Sequence, residues 1–196
     1  MSKIVCVLTM LLVLGMAGLA WAGEPTEVIR VAVDEITAIL RDPKYKDPAN
    51  FEEQKSRVTA KAEKFIDKRR FAQITLGRDW RRLTPAQQEE FTELYARLVE
   101  DTYVDRIREY SDEKVIFTGE SMTGENKAEV STLVVSKGKD IPVAYRMFKD
   151  EGRWRAYDVL VEGVSLVMNY RSQFNQLMAN GGPERLLEQL RQKAKA

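Results

Sequence analysis

The sequence contains no histidine and only one cysteine, Cys6. Ser-His-Asp and Cys-His nucleophile pairs both need an imidazole, so the sequence excludes both kinds of hydrolytic site. Zinc sites built on imidazole or paired thiolate ligands are excluded for the same reason. The spacings of a phosphate-binding loop, a dinucleotide-binding glycine motif and an EF-hand are also missing. Enzymatic chemistry is thereby narrowed to carboxylates, tyrosine, lysine or a carboxylate-bound metal.

The N-terminal segment has little charge and no acidic residue. Lys3 is followed by a mostly apolar, uncharged run over residues 4–19. Ala20-Trp21-Ala22 then places small residues at the two positions that a signal peptidase reads. A membrane anchor is the alternative, but about 16 apolar residues are short for a span, which needs roughly 20. The pattern predicts a signal peptide over residues 1–22, with cleavage after Ala22.

The chain also lacks an excess of charge of one sign. It carries 31 Lys and Arg against 30 Asp and Glu, and cleavage would remove Lys3 and make the two equal. Such a balance does not attract the whole molecule to nucleic acid, which is not expected as a partner. Cys6 would leave with the signal peptide, so the mature chain would form no disulfide. Residues 23–196 are long enough for one domain that is stabilised by packing.

The first half of the mature chain has the apolar spacing of amphipathic helices. Asp-Pro pairs at 42–43 and 47–48 interrupt this pattern. A capping box of Thr84 and Gln87, with Pro85 in the first turn, starts a helix of about 26 residues. Shorter helices are predicted over residues 25–40, 51–65 and 68–77.

After Ser111 the apolar residues alternate with polar ones, which is typical of strands. Four such segments are separated by short turns, over residues 115–117, 127–136, 141–148 and 154–161. Two helices are predicted after them, over about residues 165–179 and 183–194. Helices followed by a run of strands predict an α+β fold with a curved antiparallel four-stranded sheet and helices on one face.

Two features of the strand region leave alternatives open. The apolar face of the sheet is compatible with a closed core or with a concave surface that lines a cavity. Asp158 and Glu162 resemble the acids of proton-transfer enzymes that pair a carboxylate with a phenol such as Tyr157 in an apolar pocket. The alternative is that these acids accept hydrogen bonds from the strand-to-helix turn, with Ser165 as the helix cap.

The most specific motif in the sequence is WxxYDVxxEGVS over residues 154–165, followed by NYRSxF over residues 169–174. LGRDWR at 76–81, the helix start at Thr84, TY at 102–103, YS at 110–111 and IPVxY at 141–145 precede it in order. Together these motifs resemble the MlaC family, also called the toluene-tolerance auxiliary family. The resemblance is densest over roughly residues 65–177 and loose at both ends of the mature chain.

The resemblance implies a carrier in the periplasm of a Gram-negative envelope, with diacyl phospholipid as its cargo and no cofactor or metal. It implies an NTF2-like or cystatin-like fold that encloses an apolar lipid pocket. The implied partners are an outer-membrane lipoprotein–porin complex and an inner-membrane ABC transporter with an MCE-domain ring. Lipid transfer between them maintains the lipid asymmetry of the outer membrane. A small-molecule enzyme, or a binder of hydrophobic solvents or sterols, is the alternative on the same scaffold.

The expected lipid pocket lies between the sheet and the helices, and no catalytic residue is expected. Its predicted lining consists of apolar and aromatic positions on the long helix, the strands and the following helix: Leu98, Val99, Tyr103, Ile107, Val130, Val134, Val143, Tyr145, Met147, Trp154, Val159, Val161, Leu166 and Tyr170. A basic cluster at Arg78, Arg81 and Arg82 is interpreted as a docking surface for a membrane complex, with a patch near lipid phosphate or a solvated face as the alternatives.

Overall fold

A computed structural model describes residues 23–108, 110 and 112–194, apart from the side chains of residues 104–108. The predicted signal peptide over residues 1–22 lies outside the described residues, so its cleavage stays a prediction. In the described part the elements are α1 (Glu24–Arg41), α2 (Phe51–Phe65), α3 (Lys68–Leu76), α4 (Pro85–Arg108), β1 (Lys114–Gly124), β2 (Lys127–Ser136), β3 (Lys139–Asp150), β4 (Arg153–Val161), β5 (Val164–Ser165) and α5 (Leu166–Lys193).

The helix starts and stops follow local signals in the sequence. In the predicted capping box, the Gln87 amide donates to the Thr84 hydroxyl at 3.3 Å, and the Thr84 amide donates to the Gln87 side-chain oxygen at 3.0 Å. α1 ends before the first Asp-Pro pair, and Asp42 then accepts a hydrogen bond from the Lys44 amide at 2.9 Å. α5 is broken at Gly182, whose positive φ of 67° is incompatible with a right-handed helix. Across residues 23–108 and 112–194, no helix combines the length and the apolar character needed to cross a membrane.

The sheet is antiparallel, and its strands lie in sequence order from β1 to β5. The predicted number of four strands is wrong, because a fifth short strand follows β4. Glu162 and Gly163 both have positive φ angles, and this turn lays Val164 against Val161 and Ser165 against Leu160. A two-residue strand is too short to show alternation, so the sequence pattern did not reveal it.

The described core has two parts, and only one of them lies on the sheet. In the sheet core, Ile29 of α1 packs against a strand face that includes Val130, Met147 and Trp154. The helix core is larger and is built by α3, α4, α5 and the short 3₁₀ segment Gly77–Arg82. The α+β class and the antiparallel sheet are confirmed, but most helices pack on one another instead of covering one sheet face. The helices α2, α3 and α5 contact the sheet at β4.

Candidate functional site

A cavity of about 310 Å³ lies between α2 and α4, at the side of the sheet where β4 meets the helix core. Its surface is almost entirely apolar, and one side opens to solvent. α3, β4 and α5 each contribute to the inner wall. The lining comprises Lys55, Val58, Thr59, Ala62, Glu63, Ile66, Lys68, Phe71, Thr92, Tyr95, Ala96, Val99, Glu100, Tyr103, Val159 and Leu166.

The composition of α2 explains why a space remains beneath it. The only buried residue of this helix is Gln54, and its apolar edge at Val58 and Ala62 faces the cavity instead of packed side chains. One ion pair joins α2 directly to α4, with Lys55 lying 3.1 Å from Asp101. At the other end the link passes through Lys68 of α3, which lies 2.9 Å from Glu63 of α2 and 3.3 Å from Glu93 of α4. α2 therefore forms an outer wall that packs along α1 and is joined to α4 through ion pairs near its ends.

The inner wall of the cavity is a closely packed group of aromatic rings. Tyr95 lies at its centre, with ring centroids 5.5 Å from Phe71, 5.2 Å from Tyr170 and 5.1 Å from Phe174. Such edge-to-face and tilted contacts add to the stability that burial alone provides. Burial also raises the pKa of Tyr95 well above its ordinary value, so the phenol stays protonated. This wall is apolar and carries no charge.

The mouth of the cavity is charged. Lys55, Glu63, Lys68 and Glu100 are the lining residues that carry charge, and all are at least partly exposed. Lys68 pairs with Glu63 at 2.9 Å as well as with Glu93. Burial and the neighbouring Glu63 raise the pKa of Glu100 above its ordinary value. We call these four residues the charged rim.

Four of the predicted pocket residues line the cavity: Val99, Tyr103, Val159 and Leu166. Two others, Leu98 and Tyr170, pack in the helix core behind it. The side chain of Ile107 lies outside the described residues.

The remaining predicted positions are on the sheet and do not line the cavity. Val130, Met147 and Trp154 are buried in the sheet core beneath α1, and Tyr145 packs against them. Val134, Val143 and Val161 are half-buried further along the same face, where Val143 pairs with Val161. The alternation of the strands is as expected, since Val130 lies opposite Tyr145 and Tyr145 opposite Val159. The difference arises because α1, and not the cavity, occupies much of this face.

The cavity residues that sequence reasoning missed are on α2, α3 and α4, and at Ile66 between α2 and α3. Val58, Thr59 and Ala62 form the outer wall, and Phe71 lies at its end. The missed positions on α4 are Thr92, Tyr95, Ala96 and Glu100. For α2, the available signal was a polar helix with a narrow apolar stripe. A stripe this narrow cannot fill a core, but it is suited to a helix that covers a cavity.

Asp158 and Glu162 do not form a catalytic pair in the structure. Asp158 is only 2 % exposed and accepts hydrogen bonds from the Ser165 hydroxyl at 2.6 Å and the Val167 amide at 3.1 Å. Ser165 in turn accepts a hydrogen bond from the Met168 amide at 3.0 Å, while Glu162 is exposed in the turn. The arrangement matches the capping alternative, in which the hydrogen bonds of Asp158 and Ser165 fix the start of α5.

The basic cluster lies on the surface of the 3₁₀ segment, away from the cavity lining. Arg78, Arg81 and Arg82 are exposed, and Arg82 pairs with Asp79 at 2.9 Å. Trp80 between them is buried in the helix core. The docking role predicted for these arginines stays a prediction.

Three comparisons relate this chain to known proteins. The family model of the MlaC protein matches residues 30–192. An intermembrane phospholipid transport system binding protein, MlaC of Haemophilus influenzae, is 22% identical over 124 residues, which cover 61% of this chain and 58% of that protein. The toluene tolerance protein ttg2D of Pseudomonas putida is 26% identical over 103 residues, which cover 52% and 48%. The chain thus spans about half the length of these curated relatives.

A solved structure has the same fold. It is a phospholipid-binding protein from Ralstonia solanacearum in complex with a phospholipid. The two chains superpose with a TM-score of 0.82 at 23% identity, covering 88% of this chain and 98% of the other. At this identity the likeness establishes the architecture alone.

Proposed function

This chain belongs to the MlaC family, and from that premise we propose that it is a periplasmic phospholipid carrier. The observation that carries the proposal is the apolar cavity between α2 and α4, with its charged rim. Acyl chains occupy the cavity, the headgroup stays at the rim, and the lipid is cargo instead of a cofactor. Binding, and not catalysis, is the role of the site, because its inner wall offers rings and aliphatic side chains to the ligand.

The physical need for such a carrier follows from the cost of exposing acyl chains. Each methylene that moves from apolar surroundings into water costs about 0.8 kcal/mol, so two chains of roughly 30 methylenes together cost on the order of 20 kcal/mol. A cavity of about 310 Å³ lies at the lower end of the range of ligand sites. Longer or paired tails therefore require α2 to move outward, which its thin apolar edge permits.

The proposed route runs between two membranes. The Haemophilus influenzae relative is an intermembrane phospholipid transport system binding protein, which supports this route, as does the phospholipid in the Ralstonia solanacearum structure. We infer that the exported chain exchanges lipid with an outer-membrane lipoprotein–porin complex and with an inner-membrane ABC transporter carrying an MCE-domain ring. Its action would maintain the lipid asymmetry of the outer membrane.

Filling the cavity tests the proposal. Ala96 lines the cavity on α4, so Ala96→Trp places an indole where acyl chains are proposed to lie. Mass spectrometry of lipid extracted from the purified protein should find diacyl phospholipid in the wild type and several-fold less in the variant. Ala86→Trp is the matched control, because Ala86 is exposed in the first turn of the same helix.

The control variant should retain the wild-type lipid content. Circular dichroism should show native helix content for both variants. A folded Ala96→Trp protein with undiminished phospholipid would contradict the placement of the tails, and a wild type without phospholipid would contradict the function itself.

A further inference from the structure

The charged rim contains more acid than base once its ion-pair partners are counted. Lys55 is paired with Asp101 at 3.1 Å. Lys68 is paired with two carboxylates, at 2.9 Å and 3.3 Å. Two lysines are therefore surrounded by four carboxylates: Glu63 and Glu100 line the cavity, and Glu93 and Asp101 lie beside it as ion-pair partners. A ligand that brings only a negative phosphate would enter a region with a surplus of negative charge.

Glu100 differs from the other members of the rim. It is half-buried beside the cavity, and among the described residues it has neither a hydrogen bond nor an ion pair, whereas Lys55 and Glu63 each have one ion pair and Lys68 has two. Burial of a charged carboxylate without a hydrogen-bond or ion-pair partner is energetically unfavourable. Burial accordingly raises the pKa of Glu100. A cation beside this carboxylate would stabilise its charged form.

Lys55 and Glu100 lie on the same part of the rim, because Lys55 pairs with Asp101, the residue that follows Glu100 on α4. The charge of Lys55 also acts on the Glu100 carboxylate. Lys68 pairs with Glu93, about two helical turns away along α4, and lies at the other end of the rim. A phosphodiester anion beside Lys55 would compete with Asp101 for the ammonium of that lysine. An amine two carbons away from the phosphate would then lie within reach of Glu100.

We propose that the charged rim recognises the headgroup of an amine-bearing zwitterionic phospholipid, with the phosphodiester beside Lys55 and the primary ammonium beside Glu100. This inference rests on the proposed carrier function and adds the class of headgroup. The apolar cavity does not distinguish between headgroups when the acyl chains of two lipids are identical. Discrimination against anionic lipids comes from the rim, because only a zwitterion offers an anion to Lys55 and a cation to Glu100 together.

A competition experiment tests the proposal. Lipid-free protein is incubated with vesicles that contain equal amounts of phosphatidylethanolamine and phosphatidylglycerol with identical acyl chains, and the bound lipids are quantified by mass spectrometry. The wild type should be enriched in phosphatidylethanolamine relative to the vesicles. Glu100→Gln should lower the bound ratio about three-fold, as expected for loss of one partly solvated charge pair. Glu125→Gln, in the exposed β1–β2 turn, is the matched control and should keep the wild-type ratio.

The outcomes separate this inference from the function on which it rests. Phospholipid bound by the wild type in the ratio of the vesicles would overturn the headgroup inference alone, and so would enrichment that Glu100→Gln leaves intact. Failure of the wild type to take up either lipid would overturn the carrier function and, with it, the inference.

Discussion

Asp158 connects the end of the sheet to the start of α5 through a single carboxylate. One oxygen accepts the Ser165 hydroxyl and lies 3.3 Å from the Arg146 guanidinium, and the other accepts the Val167 amide. The amides at a helix N-terminus have no partner within the helix, and a negative charge there also interacts favourably with the helix dipole. The residue therefore fixes the position of α5, which carries Leu166 on the cavity wall.

Replacement of Asp158 by Asn should reduce stability and not the affinity for lipid. An amide has one acceptor oxygen, so at least one of the buried donors around it loses its partner. Loss of a hydrogen bond to a buried charged group costs roughly 1–3 kcal/mol, which for a chain of this size lowers Tm by several degrees. Thermal denaturation followed by circular dichroism measures this change.

Glu162→Gln is the control for the Asp158 variant, since Glu162 is exposed in the neighbouring turn. It should leave both Tm and lipid content unchanged. An Asp158→Asn protein that keeps the wild-type Tm and its bound lipid, but fails in transfer, would argue for a catalytic carboxylate and against the capping role.

Among the helices that border the cavity, α2 has the least buried surface. Gln54 is its one buried residue, whereas α3, α4 and α5 all contribute side chains to the helix core. Local opening of an element costs little free energy where few apolar contacts are lost. α2 is therefore the wall that separates most easily from the helix core, while it keeps its packing against α1.

Hydrogen–deuterium exchange should distinguish α2 from the other helices. In the lipid-free protein, peptides from Phe51–Phe65 should exchange faster than peptides from residues 85–100. Loading with phospholipid should slow exchange in α2 by more than in α4, because the tails add apolar contacts to Val58 and Ala62. Equal protection of the two helices without lipid would show that α2 is not a separable wall.

The elements were predictable where their signals are local. The Thr84–Gln87 capping box, the Asp-Pro pairs and the alternation of residues 127–136 each depend on a few neighbouring residues, and the structure has a helix start, a helix break and a strand there. The position of the cavity was less predictable. α1 and α2 each carry an apolar stripe. The sequence pattern does not specify that α1 covers the sheet and that α2 covers the cavity.

At the scale of the whole molecule, the predicted docking surface lies on the 3₁₀ segment at the edge of the helix core. Arg78 and Arg81 are exposed there and have no ion pair among the described residues, and the neighbouring acid, Asp79, pairs with Arg82. Transfer of a buried lipid requires a partner that stabilises the open state. An acidic partner surface at these arginines would hold the carrier while α2 separates from α4.

Charge reversal tests this docking surface. Arg78→Glu combined with Arg81→Glu should slow lipid delivery in a reconstituted transfer assay without emptying the cavity. The defect should shrink at high salt, where screening also weakens the wild-type interaction. Lys137→Glu with Lys139→Glu makes the same change of charge at the β2–β3 turn and should have little effect. Wild-type delivery by the arginine double variant would identify these residues as a solvated face.

The division of the core into two parts has a consequence for the working cycle of a carrier, which must survive equally well full and empty. Among the described residues, Ile66 packs against both the sheet core and the helix core. The helix-core residues that line the cavity, such as Phe71 and Tyr95, also pack on one another, so their ring contacts remain when the cavity is empty. Bound lipid therefore adds stability to a domain that is already folded, and the empty molecule is expected to remain an intact protein.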